Sequence, residues 1–389
     1  MNSRERLLNV LNGVAPDRTP VTLFVTDTDI KDGPPVCVIG ESKDDTIGDL
    51  IRFHETLGID IMLRTSTNVF EPICFDLEWD GWKHVWEPLQ ENKYLVHKIV
   101  TPEGELKEVF NVEGEEFHGA YQDDWMKLRN VRFEYFVKGA EDLSLVKKYR
   151  PPIPSYDFSN VGRDQERLGD RGILLPRVPS SVFNYAAALV KLEELLISPV
   201  LNFDFYKELM EFCADDVIEV GAKIARAGGD VMRIVGNIAN SGIVSSGFYH
   251  EHILPYEKRY IDSFTETGTK VLFHNCGQCA AMLEVYRLML EGHALESLSK
   301  PESGGDVESL KAARGALGDN VVMVGNFDQV NLLREGTPEQ IQQEVRKTFK
   351  EIKGDHRFIF STSDSIIPGT PKENIEALVE SALECVKSG

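Results

Sequence analysis

The chain has 389 residues, 42% of them hydrophobic, enough to bury a large core. Its 63 acidic residues against 42 basic ones leave a net charge of −21, which argues against nucleic acid or an anionic membrane surface as a partner, because both select a positive face. Six scattered cysteines without a disulfide-like framework, no run approaching 18 apolar residues and no apolar leader behind Met1 point to a soluble, cytoplasmic protein with reduced thiols.

Residues 3–12 read as an amphipathic helix with Leu7, Leu8 and Leu11 on one face. Ser3 is the expected cap. No capping box is expected, because Arg6 holds the position that Glu or Gln would need. Gly13 ends this helix. "TPVTLFV" (19–25) reads as a buried strand, a helix follows at about 45–57, and "IDIMLR" (59–64) is the next short apolar strand. Residues 77–137 change character: alternation, Gly-containing turns and aromatic or β-branched enrichment predict antiparallel hairpins, with "TPEG" as a turn. This stretch is taken as an insertion, with 1–389 as a single domain around it.

Beyond about 140 the rhythm becomes strand, helix, strand, helix. The strands are "GILLPR" (172–177), "DVMRIVG" (230–236), "KVLFHN" (270–275), "HALESL" (293–298), "NVVMVGN" (320–326) and "RFIFST" (357–362), and the clearest helices are 200–226, 248–267, 338–352 and 372–387. With the two early strands there are eight, which predicts an α/β fold of the (β/α)8 TIM-barrel type carrying the N-terminal β-hairpin insertion. A doubly wound sheet is the rival, but no strand runs into G-x-G-x-x-G.

Barrel active sites lie at the C-terminal ends of the strands. Those ends carry Asp27 and Asp29, Arg64 and Asn68, Asn237 and Asn240, His274, Cys276 and Cys279, Glu296 and Asp364. The stretch "KVLFHNCGQC" invites three readings. A C-x-x-C redox pair belongs in a thioredoxin-like context, which the barrel pattern is not. A structural zinc site needs four ligands, and no second C-x-x-C exists here. A catalytic zinc site needs three ligands and an open position, and His274 and Cys276 offer two. Against all three stands a satisfied core histidine beside inert thiols. Cys279 opens a helical pattern with Leu283, Tyr286 and Leu290 and reads as packing. Tyr249 and Tyr256 also read as packing.

The segments "SRERLLNVLNGVAPDRTPV", "FEYFVKGAEDLSLVKKY", "ILPYEKRYIDSF" before "KVLFHNCG", "VVMVGNFD" with a later "EGTPEQI", and "PGTPKENIEALVESA" resemble the uroporphyrinogen decarboxylase-like superfamily over nearly the whole chain. That resemblance implies a (β/α)8 barrel and two functional branches. The decarboxylases are similar up to an arginine-rich N-terminal segment, where this chain reads "PVTLFVTDTDI". The other branch resembles cobalamin-linked methyltransferases, whose zinc motif is His-x-Cys with a later Cys in the last strand's loop. His274 and Cys276 match the first part. In "STSDSIIPGTP", Asp364 stands where that Cys would be. A carboxylate is a competent and harder zinc ligand.

The resemblance thus implies a zinc-dependent methyltransferase ligated by His274, Cys276 and Asp364. It would move a methyl group from a methyl ether or similar small donor to the cob(I)alamin of a separate corrinoid protein. The chain lacks a cobalamin-binding Asp-x-His-x-x-Gly pattern, so the corrinoid would come from that partner. Asp27, Asp29, Asn237, Asn240 and Glu296 are the expected substrate-binding residues. The alternatives are a metal-free decarboxylase-like lyase and a non-catalytic binding protein on the same scaffold.

Overall fold

Short runs of Val, Ile, Leu and Phe bounded by Gly, Pro, Asn or Asp suit strands covered on both faces. In the computed structural model, which describes residues 1–27, 38–40, 45–67, 69, 79–90, 93–114, 131–152 and 157–388, these runs form β1 (Ile61–Thr65), β6 (Gly172–Pro176), β7 (Val231–Val235), β8 (Lys270–Asn275), β9 (Ala294–Ser297), β10 (Val322–Phe327) and β11 (Phe358–Thr362). Between β1 and β6 lie β2 (Lys83–Leu89), β3 (Tyr94–Thr101), β4 (Gly104–Asn111) and β5 (Arg132–Glu134). Asp29 and Asn68 lie outside the described residues.

The chain divides into two compact units. The first comprises Met1–Phe70, Asp157–Ser181 and Ile218–Gly389. All of its strand pairings are parallel: β1 with β6, and β7 through β11 in order. Single bridges add Arg177 to Arg233, Val21 to Phe360 and Thr26 to Arg64. The expected first strand, 19–25, is therefore an extended segment touching its neighbours at two bridges rather than a regular strand. Pro20 lacks an N–H to give a ladder.

Side chains alternate along a strand, so residues two apart share a face. Met62, Val231, Leu272, Ala294, Val322, Val324 and Ile359 join one core cluster with Ile173 and Leu175. Leu7, Val10 and Leu11 of the helix Ser3–Leu11 join it too, near the strand starts. The same alternation puts Arg64, Arg233, His274 and Glu296 one step further along the same face. The helix begins one residue earlier than expected from its cap. Asn2 is the N-cap, and its side chain with that of Glu5 completes a capping box. Reading Ser3 as the cap moved the N3 position onto Arg6 and hid the box.

The second unit comprises Glu71–Tyr156 and Val182–Val217 and holds the antiparallel sheet β2-β3-β4-β5. The turn in "TPEG" joins β3 to β4, with Thr101 opposite Gly104. Register also sets His97 opposite Glu108, and both are buried. His97 Nδ1 lies 2.8 Å from Glu108 Oε1, while Arg132 donates to the other carboxylate oxygen at 3.0 Å.

Candidate metal centre

His274 is the fifth residue of β8, and Cys276 follows the strand end. Asp364 lies two residues past β11. These residues, 90 positions apart at the extremes of the set, come together: one ligand atom from each of His274, Cys276 and Asp364 lies within 4.8 Å of the others. His274 Nε2 is 3.8 Å from Asp364 Oδ2. A tetrahedral zinc site with bonds of about 2.0–2.3 Å sets its ligand atoms roughly 3–4 Å apart, so this set needs only a small contraction. Nitrogen, sulfur and carboxylate oxygen, with a fourth position left over, form a donor set that zinc accepts.

The other imidazole nitrogen is tied from behind. His274 Nδ1 lies 3.1 Å from Glu296 Oε2 and 3.2 Å from Ser297 Oγ. A carboxylate only accepts, so this contact fixes the proton on Nδ1 and turns the Nε2 lone pair of the neutral ring toward Asp364. Glu296 is fully buried. Arg64 donates to its Oε1 from Nη2 at 2.5 Å and from Nε at 3.0 Å, and Arg233 donates to Oε2 at 3.2 Å. Phe24 packs against the group: its ring stands edge-on to His274 at 5.4 Å, with the guanidinium carbons of Arg64 and Arg233 4.5 and 4.8 Å from its centroid.

Burial by itself would lower the His274 pKa, but hydrogen bonds to Cys276 and Glu296 outweigh it and raise the ring to about 9. Glu296 is held far below the usual carboxylate range: burial opposes this, and Arg64, His274 and Arg233 overcome it. Cys279 sits outside the set. Its thiol is buried, and burial with nearby Asp306 pushes it up to about 12.

The expected substrate residues fare differently. Asn237 points its amide at Cys276, with Nδ2 3.9 Å from Sγ. Asn240 builds the loop instead, donating to Asn237 O at 2.9 Å and accepting from Gly242 N at 2.8 Å. Asp27 accepts from Ser66 N at 2.6 Å. Glu296 has no exposed surface and faces His274 and two arginines. Arg233, Phe24 and Ser297 were not among the expected site residues. A lone arginine inside "VMRIV" was the available signal, since a strand buried on both faces admits a cation only beside a partner.

Ser297 and Leu298 adopt positive φ values of 96° and 49°. Non-glycine residues in that region are strained. Here the turn aims Ser297 Oγ at the imidazole. Gly325 makes room for it: a Cβ there would meet Ser297 O at 2.3 Å.

The uroporphyrinogen decarboxylase (URO-D) family model matches residues 179–385. A methylcobamide:CoM methyltransferase of Methanosarcina mazei is 25% identical over 254 residues, 64% of this chain and 70% of that protein. A uroporphyrinogen decarboxylase of Pelobacter propionicus is 31% identical over 184 residues, 46% of this chain and 48% of that protein. The match to a second Methanosarcina methyltransferase, from M. acetivorans, likewise spans 48% of that relative's length. The solved structure of a methyltransferase from M. mazei superposes with a TM-score of 0.63 over 99% of both chains, at 16% identity, a likeness of fold. No helix among the described residues is long and apolar enough to cross a membrane. The chain belongs to the uroporphyrinogen decarboxylase family, and its methyltransferase relatives fit that family's corrinoid methyltransferase branch.

Proposed function

We propose that this chain is a zinc-dependent methyltransferase that moves a methyl group from a methyl ether or similar small donor to the cob(I)alamin of a separate corrinoid protein. The observation that carries the reading is the approach of His274, Cys276 and Asp364 to within 4.8 Å. The relatives named as methylcobamide:CoM methyltransferases support methyl transfer and the corrinoid. The scaffold is taken as one (β/α)8 barrel domain with 77–137 inserted. Support comes from the parallel pairings that lead from Val21 and Thr26 through every strand of the first unit back to Phe360.

His274, Cys276 and Asp364 would hold zinc, which acts when bound as a Lewis acid on the donor's ether oxygen. A thiolate-poor ligand set leaves the ion harder than a two-cysteine set would, and this favours oxygen over sulfur as the atom released. The transfer breaks the carbon–oxygen bond with its electron pair left on oxygen, and the methyl carbon bonds to cobalt(I). Glu296 keeps His274 in the ligating tautomer, and Arg64 and Arg233 keep Glu296 ionised. Glu296 is thereby a positioning residue rather than a substrate contact. Asn237 donates toward Cys276 and tempers its charge. Asp27 stays a candidate for the donor's polar groups.

Two measurements test this together. Elemental analysis should find about one zinc per chain, the count of a single catalytic site, absent from His274→Ala. Methoxylated aromatics mixed with the chain and cob(I)alamin should convert the cobalamin spectrum to the methylated form. Zinc-free wild type that still decarboxylates a polycarboxylate would move the lyase reading ahead.

A further inference from the structure

At the opposite ends of the strands from His274 lies a cleft of about 680 Å³, lined by the turn at Gly13, the helix Leu310–Leu317, the start of β10 and the segment 350–357 that leads into β11. In a chain of −21 net charge its wall is cationic: Lys311, Arg314, Lys350, Lys353 and Arg357 against Asp319, Glu351 and Asp355. Two of the three acids are already engaged. Asp355 accepts from Arg314 at 2.9 Å and 3.3 Å, and Glu351 Oε1 accepts from Lys311 N at 3.0 Å as well as from Ser309. Among the described residues no carboxylate lies within ion-pair distance of the amines of Lys311, Lys350 and Lys353 or of the Arg357 guanidinium.

Arg357 reaches the cleft across Gly13, where a Cβ would sit 2.0 Å from its Nη2. Gly13 has φ +71°, so the position favours glycine twice over. Behind Arg357 is Lys270, whose amine donates to Gly292 O at 3.0 Å; burial and the Arg357 charge both lower its pKa. Five cations against three carboxylates in one cleft, in a chain where acids outnumber bases 63 to 42, leave a local positive excess that repels itself unless an anion joins it.

We propose that this cleft binds a small phosphorylated polyanion, with Lys350, Lys353, Lys311 and Arg357 as its charge contacts. Arg357 offers the forked donor geometry that phosphate oxygens match, and the lysines supply mobile point charges. The ligand is distinct from the methyl donor, because the cleft opens beside the strand starts and not beside Asp364.

The test is calorimetric titration of the full chain with fructose 1,6-bisphosphate at low and moderate salt. Saturable one-to-one binding is expected, weakening as salt rises. The exposed pair Lys350→Ala and Lys353→Ala together should weaken it about tenfold, as loss of two charge contacts implies. The control Lys207→Ala with Lys258→Ala removes the same charge elsewhere and should leave binding unchanged. No saturation up to millimolar ligand, or equal loss in both double variants, overturns the proposal. Loss in Arg357→Gln with an unchanged melting temperature would support the Arg357 contact directly.

Discussion

Glu296 grips His274 from behind: the carboxylate lies 3.1 Å from Nδ1, and the opposite nitrogen looks toward Asp364 at 3.8 Å. A single buried acid therefore sets both the tautomer and the aim of a residue on the adjacent strand.

Glu296→Gln retains the shape and removes the charge. Zinc affinity should fall roughly 10- to 100-fold, the usual cost of losing such a partner. The fold should also weaken by about 3–5 kcal/mol, because Arg64 and Arg233 would keep buried charges with their acid gone. Chelator competition reads the first effect and urea unfolding the second. Wild-type zinc affinity in the variant would remove the orienting role.

Asp364→Cys tests the ligand set by chemistry instead of deletion. A second thiolate should tighten zinc and lower the rate of transfer from methyl ethers, because the ion becomes a weaker Lewis acid toward oxygen. Cys276→Ser should lose the metal while its circular dichroism and melting point stay close to wild type, since the core cluster contains no residue of this set. Unfolding of Cys276→Ser would show that the thiol is structural.

How much of this could be read from residues alone divides along physical lines. β8 and β11 were legible because each is a short apolar run with a polar stop, a pattern local to five or six residues. His274, Cys276 and Asp364 were legible through motif resemblance, which encodes their convergence. The hold on His274 was not, because Arg64 reaches Glu296 across 232 positions. Alternation alone carried part of it: Leu272 and Ala294 face inward, so His274 and Glu296 do too, and register pairs them side by side. The cap at Asn2 was missed for a smaller reason, a shift of one residue.

Ser297 offers a split between strain and contact. Its φ of 96° favours glycine, while its hydroxyl lies 3.2 Å from His274 Nδ1. Ser297→Gly should relieve backbone strain of the order of 1 kcal/mol and so offset the lost hydrogen bond, leaving stability near wild type. Ser297→Ala keeps the strain and loses the bond, and should be less stable by about 1 kcal/mol. Both should bind zinc more weakly. Equal stability of the two variants would show that the backbone there is unstrained.

The pH dependence of stability has two limbs with different owners. His54 and His293 are lowered from 6.5 to about 4, in both cases chiefly by burial. Below pH 6.5 the unfolded chain takes up protons that the folded chain refuses, so stability is full above that value and falls as pH drops toward 4. Each ring contributes up to about 3 kcal/mol. His274 works in the other direction. Its folded pKa of about 9 lies above 6.5, so its contribution is complete below pH 6.5 and is lost as pH rises through 9. Metal-free protein should thus be most stable near pH 6.5. Zinc needs the unprotonated ring, so loading the site replaces the proton and removes the alkaline limb. Urea midpoints taken from pH 4 to pH 9.5, with and without zinc, separate the two. An alkaline limb that persists with zinc bound would mean that His274 is not a ligand, and an acid limb abolished by zinc would mean that His54 and His293 are not its source.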